Sequence, residues 1–246
     1  MQEGGVKEVK MFHSEKIKQE KVAGMFNSIA AKYDFLNHFL SFNRDKYWRR
    51  VAIQILKESN PRVILDVATG TGDFALEALK LNPDRVTGID ISEKMLDLAR
   101  IKASGARKGD KLDFFTGKAE EIPFQNSTFD AAISGFGVRN FANLQAGIRE
   151  IIRILKPGGH LVILEFSKPK TRIFGTLYSF YFSKILPVVG GWISGIKPAY
   201  EYLPESVTAF LEGDHFIHIL EESGFENCSC FTLTFGIVSV YSGFKR

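Results

Sequence analysis

Cysteine is nearly missing from this sequence. Among 246 residues there are two, Cys228 and Cys230, separated by a single residue. One C-x-C pair is too sparse for a disulfide framework or for a zinc site. We therefore expect a protein of the reducing cytoplasm whose functional site contains no metal.

Long uninterrupted apolar runs are missing as well. The first ten residues, M-Q-E-G-G-V-K-E-V-K, have no apolar core of the kind found in secretory signal peptides. The most apolar segment, residues 173–195, is interrupted by Lys184, Pro187 and the pair Gly190-Gly191. It is too broken for a membrane span, so we interpret it as helices that cover something apolar. Peripheral contact with the inner face of a membrane stays open.

A concentrated basic surface is absent too. The sequence has 32 Lys and Arg against 28 Asp and Glu, a formal net charge of +4, and the basic residues are scattered among acidic ones. Nucleic-acid-binding surfaces gather their positive charge in one patch or stripe. We therefore predict no nucleic-acid partner.

What the sequence does contain is an alternation of apolar strands and helices. Apolar runs such as V-I-L-D-V and L-V-I-L-E suit strands of a parallel sheet that is covered on both faces. Ser92 has the side chain of a helix N-cap. The predicted strands are 62–67, 85–90, 112–116, 129–134 and 160–165, and the predicted helices between them are 73–80, 93–102 and 144–155.

The flanking regions have other patterns. Residues 1–19 are polar and predicted to be loose, and residues 20–48 are predicted to be helical with a break at 41–44, followed by a helix over 47–57. Residues 169–206 are rich in aromatic residues and have no strand pattern.

The last part is predicted as one helix over 207–223, closed by Gly224, and two strands over 225–234 and 237–243. Gly236 would turn these strands into an antiparallel edge hairpin. The chain is thus predicted as an α/β protein with four parts. These are a helical lid (1–60), a ligand-binding core (61–168), a helical cap (169–206) and a helix with strands that completes the core (207–246).

The stretch D-V-A-T-G-T-G-D-F-A, Asp66 to Ala75, follows the first predicted strand. It satisfies the dinucleotide fingerprint G-x-G-x-x-G/A, and Asp90 stands 20 residues after Gly70, where an acid would bind a ribose. However, Asp66 and Asp73 bracket the loop, and their charge would oppose a pyrophosphate at the helix N-terminus. S-adenosylmethionine (SAM) has a ribose, two cationic groups and no phosphate. The charges favour SAM, and an NAD(P)-dependent oxidoreductase remains the alternative.

Further candidate residues follow along the chain. Ile91 and Met95 offer apolar contact to an adenine, and the loop T-G-K-A-E-E-I-P-F follows the third strand, where it could reach the base. The end of the fourth strand would lie under the methionine portion of SAM. The predicted SAM-binding residues are Tyr33, Asp66, Gly70, Thr71, Gly72, Asp90, Ile91, Met95, Lys118, Ala119, Ser134 and Gly135.

Together with L-K-P-G-G (155–159), these motifs resemble those of class I SAM-dependent methyltransferases. Y-D-F-L-N-H-F-L-S-F-N-R-D-K-Y-W (33–48) and R-I-L-K-P-G-G-H-L-V-I-L-E-F-S (153–167) resemble the two signatures of the ubiquinone/menaquinone C-methyltransferase family. G-F-G-V-R-N (135–140) and Y-E-Y-L-P-E-S (200–206) resemble further segments. The sequence departs from the family at Asp45, where a His is usual, at Leu36, where a Met is usual, and at Gly135, where some relatives have a serine.

The resemblance implies a Rossmann-like fold. Its sheet would be mostly parallel and seven-stranded, with helices on both faces, a C-terminal antiparallel hairpin and an inserted helical cap. It implies methyl transfer from SAM, as co-substrate, to a ring carbon of a prenylated quinol. Demethylmenaquinol is the first expectation and a polyprenyl benzoquinol of ubiquinone biosynthesis is the alternative. A methyltransferase for a sterol or tocopherol precursor and a SAM-binding protein without turnover are remoter alternatives.

Four residues are candidates for catalysis. Arg139 follows the fourth strand and would stabilise negative charge on a quinol oxygen, and Asn140 would bind the oxygen or position Arg139. The competing interpretation of Arg139 is a structural ion pair with a nearby acid. His38 and Tyr200, like Tyr33, would shape the site or relay a proton, although a structural role fits His38 equally well.

The apolar residues of the segment 174–193 would form a channel for the prenyl tail, or a cap with its own small core. Lys168, Lys170, Arg172 and Lys184 would favour contact with a membrane surface. A homodimer stays open.

Overall fold

The computed structural model describes residues 2–169, 175–176, 178, 180–194 and 197–246. Within these ranges, the side chains of residues 2–13, 182, 183, 187, 189, 193, 194 and 197–201 are outside the description.

The described residues form one seven-stranded sheet in the order β3-β2-β1-β4-β5-β7-β6. The first five strands are parallel, whereas β7 is antiparallel to both β5 and β6. This confirms the predicted sheet with its C-terminal antiparallel strands, and Gly236 between β6 and β7 has a φ of 89°. The strands are β1 (Val63–Val67), β2 (Arg85–Asp90), β3 (Leu112–Thr116), β4 (Phe129–Gly135), β5 (Leu155–Phe166), β6 (Phe225–Leu233) and β7 (Val238–Lys245).

Eight α-helices accompany the sheet in the described part of the chain. A π-helical turn, Tyr181–Ile185, leads into the sixth. The helices are α1 (Gln2–Leu40), α2 (Arg44–Ile55), α3 (Asp73–Ala78), α4 (Glu93–Ser104), α5 (Leu144–Ile154), α6 (Leu186–Ser194), α7 (Lys197–Ala209) and α8 (Asp214–Glu222).

Two of the local predictions are wrong, that residues 1–19 are loose and that residues 207–223 form one helix. Residues 2–19 are part of α1. This segment is rich in good helix formers such as Lys, Glu and Gln, and Lys18 and Gln19 bond to Phe141 O and Glu120 on the core. The predicted helix over 207–223 is instead the end of α7 and the whole of α8, because the chain breaks before Gly213, which has a φ of 66°.

The hydrophobic core lies on both faces of the sheet. Ile53, Phe74 and Leu96 pack on one face, while Ile148 and Phe216 pack on the other. A third cluster joins α1 to α6 and α7, through Leu36 on one side and Leu186 and Val207 on the other, and the Tyr181 hydroxyl donates to Leu40 O. In the described part of the chain, no helix combines the length and the apolar character needed to cross a bilayer.

Candidate active site

The sheet order reverses between β1 and β4, which is where open α/β sheets bind their ligands. The glycine loop lies at this point, between the end of β1 and the start of α3. Gly70 and Gly72 have φ values of 56° and 79°, in the region that favours glycine. A Cβ on Gly72 would lie 3.0 Å from the Phe114 ring, whereas the space around Gly70 is open. Gly70 therefore presents bare backbone to a ligand.

Asp90 ends β2 next to this loop. Its carboxylate accepts hydrogen bonds from Gly70 N at 2.8 Å and from Ser92 N at 2.9 Å. Burial raises the pKa of Asp90, and these backbone donors partly oppose the rise. A carboxylate has about four lone-pair sites, so Asp90 can hold the loop and still accept hydrogen bonds from ribose hydroxyls.

A cavity of about 60 Å³ opens at the ends of these strands, and α1 covers it through Gln19, Val22 and Phe26. It brings together most of the residues that the sequence predicted to bind the cofactor, and one that it predicted to be catalytic. Those in its wall are Tyr33, Gly70, Asp90, Ile91, Met95, Ala119, Gly135 and Asn140.

The other predicted SAM-binding residues lie outside the wall of this cavity. The Thr71 hydroxyl donates to Asp34 at 2.5 Å, and Gly72 is the residue before α3. Lys118 pairs with Glu121 at 2.8 Å, and the buried Ser134 donates to Val67 O. Their predicted contacts with the cofactor stay predictions.

Asp66 lies fully buried beneath the loop. Its Oδ2 accepts a hydrogen bond from Thr69 at 2.6 Å, whereas its Oδ1 has no partner among the described residues. Burial raises the pKa of Asp66 to about 7. Asp73, the second acid of the sequence argument, is instead paired with Lys102 and lies 3.7 Å from Arg49. Of the two acids, Asp66 is the one that retains an unpaired buried oxygen.

A second cavity of about 260 Å³ adjoins the first, because Phe26, Tyr33 and Phe136 line both. Its wall is mainly aromatic and aliphatic and comes from α1, α2, the cap segment and the ends of β4 and β5. The polar side chains in the wall include Asn37, Ser41, Arg44, Asp45, Arg49, Arg139, Tyr202 and Thr234.

Arg139 follows β4 in a short 3₁₀ turn and lines the second cavity. Its Nη1 donates to Glu165 at 2.6 Å and to Phe136 O at 2.5 Å, and its Nε donates to Ser206. The ion pair that competed with the catalytic interpretation is therefore present. The two are compatible, because both Nη2 protons make no hydrogen bond to any described residue.

The three remaining catalytic candidates differ in position. Asn140 lines the first cavity and accepts a hydrogen bond from the Tyr202 hydroxyl at 3.0 Å. His38 lines neither cavity, and its Nδ1 lies 2.7 Å from Asp45. The side chain of Tyr200 is outside the described part of the structure.

Tyr33 lies at the junction of the two cavities. Burial raises its pKa, while a hydrogen bond with Asn37 and the charges of Arg139 and Arg49 oppose the rise. The positive charges of both guanidinium groups thus favour the ionised form of this hydroxyl.

Sequence reasoning missed Glu165 and Arg49. Glu165 is the one acid in the apolar strand L-V-I-L-E-F, and a buried acid requires a partner. Arg49 stands four residues after Asp45, a spacing that places the two side chains on one helix face. Both signals were present in the sequence, but neither identifies a cavity.

A model of the ubiE/COQ5 methyltransferase family matches residues 14–245. The chain is 44% identical over 230 residues to a ubiquinone/menaquinone biosynthesis C-methyltransferase UbiE of Geobacter sulfurreducens. The match covers 93% of this chain and 90% of the relative. It is also 44% identical to a demethylmenaquinone methyltransferase of Deinococcus radiodurans. That match covers 93% of this chain and 94% of the relative.

Among solved structures, a SAM-dependent methyltransferase of Thermotoga maritima superposes with a TM-score of 0.63 at 18% identity. The match covers 91% of this chain and 99% of that one. A SAM-dependent methyltransferase of Aquifex aeolicus superposes with a TM-score of 0.58 at 19% identity. This match covers 79% of this chain and 89% of the other. At these identities the likeness supports the fold, and it confirms the predicted Rossmann-like class.

Proposed function

The chain belongs to the ubiE/COQ5 methyltransferase family, and we propose that it transfers a methyl group from SAM to a ring carbon of a prenylated quinol. The conversion of demethylmenaquinol to menaquinol is the first expectation, because relatives at 44% and 39% identity bear the name demethylmenaquinone methyltransferase. Methylation of a polyprenyl benzoquinol remains the alternative. Neither the family nor these relatives support an oxidoreductase.

One observation of the structure carries the proposal. A cavity at the glycine loop and a larger, mainly apolar cavity meet at Phe26, Tyr33 and Phe136. A methyl transfer between a polar co-substrate and a lipophilic one requires two adjoining sites of this kind. The methyl group would pass between them beside Tyr33.

The residues of the first cavity fit SAM. Asp90 would accept hydrogen bonds from the ribose hydroxyls, and Ile91, Met95 and Phe141, which line the same cavity, would offer apolar surface to the adenine. Outside the wall of this cavity, Asp66 has an Oδ1 with no partner among the described residues, and in its ionised form it would add negative charge beneath the open backbone of Gly70. When bound, SAM supplies a methyl carbon activated by the positive sulfur.

In the proposed reaction, a quinol ring carbon forms a bond to the methyl carbon. The bond from that carbon to sulfur breaks with its electron pair on sulfur, and the ring carbon loses its proton. The main task of the chain is to hold the reacting atoms in line, which contributes up to about 7–11 kcal/mol in favourable cases. The Nη2 protons of Arg139, which bond to no described residue, would stabilise negative charge on the neighbouring quinol oxygen.

The four parts predicted from the sequence enter this proposal with those roles. Residues 1–60 act as the lid over both cavities, 61–168 as the SAM-binding core and 169–206 as the substrate cap. Residues 207–246 complete the core. In support, α1 contributes to the walls of both cavities, and the cap segment contributes Tyr178, Tyr181 and Leu186 to the second.

We also propose that the tail enters from a membrane surface. Six large apolar side chains on α1, the following turn and the cap segment are more than half exposed, and Lys184 adds a basic group. We call these six the apolar rim: Phe35, Phe39, Phe42, Phe180, Val188 and Trp192. A homodimer stays a prediction that the mass of the protein in solution would check.

The first experiment is an assay with SAM labelled in its methyl group, offered demethylmenaquinol and a demethylated benzoquinol side by side. Label on the naphthoquinol alone is the expected result, and label on both indicates a shared quinone methyltransferase. The oxidised quinones serve as controls, because a quinone ring is a poor carbon nucleophile. Absence of label on either quinol, with SAM bound, would overturn the proposal.

A further inference from the structure

The wall of the second cavity contains two nearly buried guanidinium groups. The side chain of Arg139 is 6% exposed and that of Arg49 is 11% exposed. They lie over neighbouring rings of one aromatic pair. The Cζ of Arg49 is 5.9 Å from the centre of Phe136, and that of Arg139 is 5.4 Å from the centre of Phe166. The centres of the Phe136 and Phe166 rings are 4.5 Å apart.

Arg49 is held in place by acidic neighbours. Its Nη1 donates to Asp45 at 2.5 Å, its Nη2 lies 3.7 Å from Asp73, and Ser41 and His38 also bond to Asp45. Although burial works against the charged form, Asp73 and Asp45 raise the pKa of Arg49. The guanidinium is therefore fixed in position and always charged.

Arg49 also has donors to spare. A guanidinium carries five N–H donors, and the hydrogen bonds of Arg49 to described residues use Nη1 alone. Its other donors bond to no described carbonyl oxygen, and Arg49 lines the second cavity. Buried N–H donors without a hydrogen-bond partner are costly, so a ligand with a hydrogen-bond acceptor at this place would be favoured.

The proposed substrate has two oxygens, on opposite edges of its ring. We infer that Arg49 binds the quinol oxygen para to the one at Arg139, so that the ring is held at both edges against Phe136. This inference rests on the proposed function. Tyr33 lines both cavities, so a ring held in this way would lie beside it, where the methyl group passes. Arg49 would thus position the ring and leave the activation of the reacting carbon to Arg139.

The test compares two substrates with the same tail. Demethylmenaquinol has both hydroxyls, and its 1-naphthol analogue keeps the hydroxyl beside the reacting carbon and lacks the one para to it. For the wild type, we expect the analogue to lose about tenfold or more in kcat/KM, the size of a hydrogen bond to a charged group. Arg49→Met should lower kcat/KM for the quinol by about the same factor. It should leave kcat/KM for the analogue almost as it is in the wild type.

Arg50→Met is the matched control, because Arg50 adjoins Arg49 in α2 but its side chain is 62% exposed and outside the cavity wall. It should behave as the wild type on both substrates. If Arg49→Met unfolds below the assay temperature, Arg49→Lys replaces it. The ammonium keeps a charge for Asp45 and Asp73 but loses the planar fork of donors.

A second readout does not depend on turnover. Trp48 lines the second cavity, and Trp192 is 85% exposed. In a Trp192→Phe background, quenching of Trp48 fluorescence by oxidised demethylmenaquinone reports binding. Arg49→Met should raise Kd about tenfold, and Arg50→Met should leave it unchanged.

The inference would be overturned if folded Arg49→Met lost the same factor in kcat/KM on the quinol and on the analogue and bound the quinone with an unchanged Kd. Arg49 would then be a structural residue. A wild type that binds SAM and methylates neither compound removes the proposed function instead. In that case the quenching experiment still decides whether Arg49 contacts a quinone.

Discussion

Glu165, at the end of β5, accepts a hydrogen bond from Arg139 at 2.6 Å, and neither side chain is more than 6% exposed. The Glu165 carboxylate also accepts from Arg139 N and from Phe166 N. This pair fixes the guanidinium at the end of the sheet where the two cavities meet. A cation held so firmly is preorganised for a developing negative charge.

Glu165→Gln should therefore lower both stability and turnover. Removing one partner of a buried pair costs about 3–5 kcal/mol, because the other charge is left uncompensated. The double variant Arg139→Met, Glu165→Gln should regain most of the stability but not the turnover. Thermal unfolding together with the labelled-methyl assay would check this. Recovery of turnover in the double variant would show that Arg139 has no role in the chemistry.

Asp90→Ala should weaken SAM binding by about tenfold or more, because the ribose loses a charged acceptor and Gly70 N loses its partner. Isothermal calorimetry measures the change directly. Asp97→Ala is the control, since Asp97 lies in α4, the helix that follows Asp90, with its side chain 61% exposed. Unchanged affinity in Asp90→Ala would remove Asp90 from the site.

Binding of SAM should depend on pH through Asp66. Burial raises the pKa of this carboxyl to about 7, and a bound cation would favour its charged form and so lower that pKa. Affinity is then expected to rise with pH up to about 7 and to level off above it. Asp66→Asn should bind SAM more weakly and lose the rise in affinity near pH 7. If the SAM affinity of the wild type does not change with pH, Asp66 does not interact with the bound cation.

The apolar rim should bind lipid vesicles. Replacing Phe42 and Trp192, which are 78% and 85% exposed, by Asp should reduce cosedimentation with anionic vesicles, because apolar area and charge attraction are both weakened. Ile101→Asp is the control, since Ile101 is 66% exposed on α4 and lines neither cavity. Equal binding by all variants would show that the rim does not contact a membrane.

His38→Asn tests whether the His38–Asp45 pair acts in catalysis or in structure. Asp45 is buried, and although burial opposes it, Arg49 and the neighbouring hydrogen bonds lower its pKa, so it is a weak proton acceptor. We expect turnover to fall by less than about tenfold and the pH profile of kcat to keep its shape. Loss of a limb of that profile would make His38 a proton relay.

Much of this protein was determined by its sequence alone. Local apolar patterns predicted the strands, because runs such as V-I-L-D-V and L-V-I-L-E are apolar enough for a strand that is buried on both faces of a parallel sheet. The glycine loop and Asp90 followed from fixed spacing. The resemblance carried by residues 33–48 and 153–167 was borne out by the family match over residues 14–245.

Only the tertiary structure decided how the charges are distributed. From the sequence, Asp66 and Asp73 were both acids that bracket the loop, yet the fold pairs Asp73 with Lys102 and gives one oxygen of Asp66 no partner among the described residues. It likewise placed Arg49 in the cavity wall and Glu165 beside Arg139. Such contacts join residues far apart in the chain, and their strength depends on burial. Local pattern specifies neither of these, because the side chains meet only once the sheet and its helices have packed.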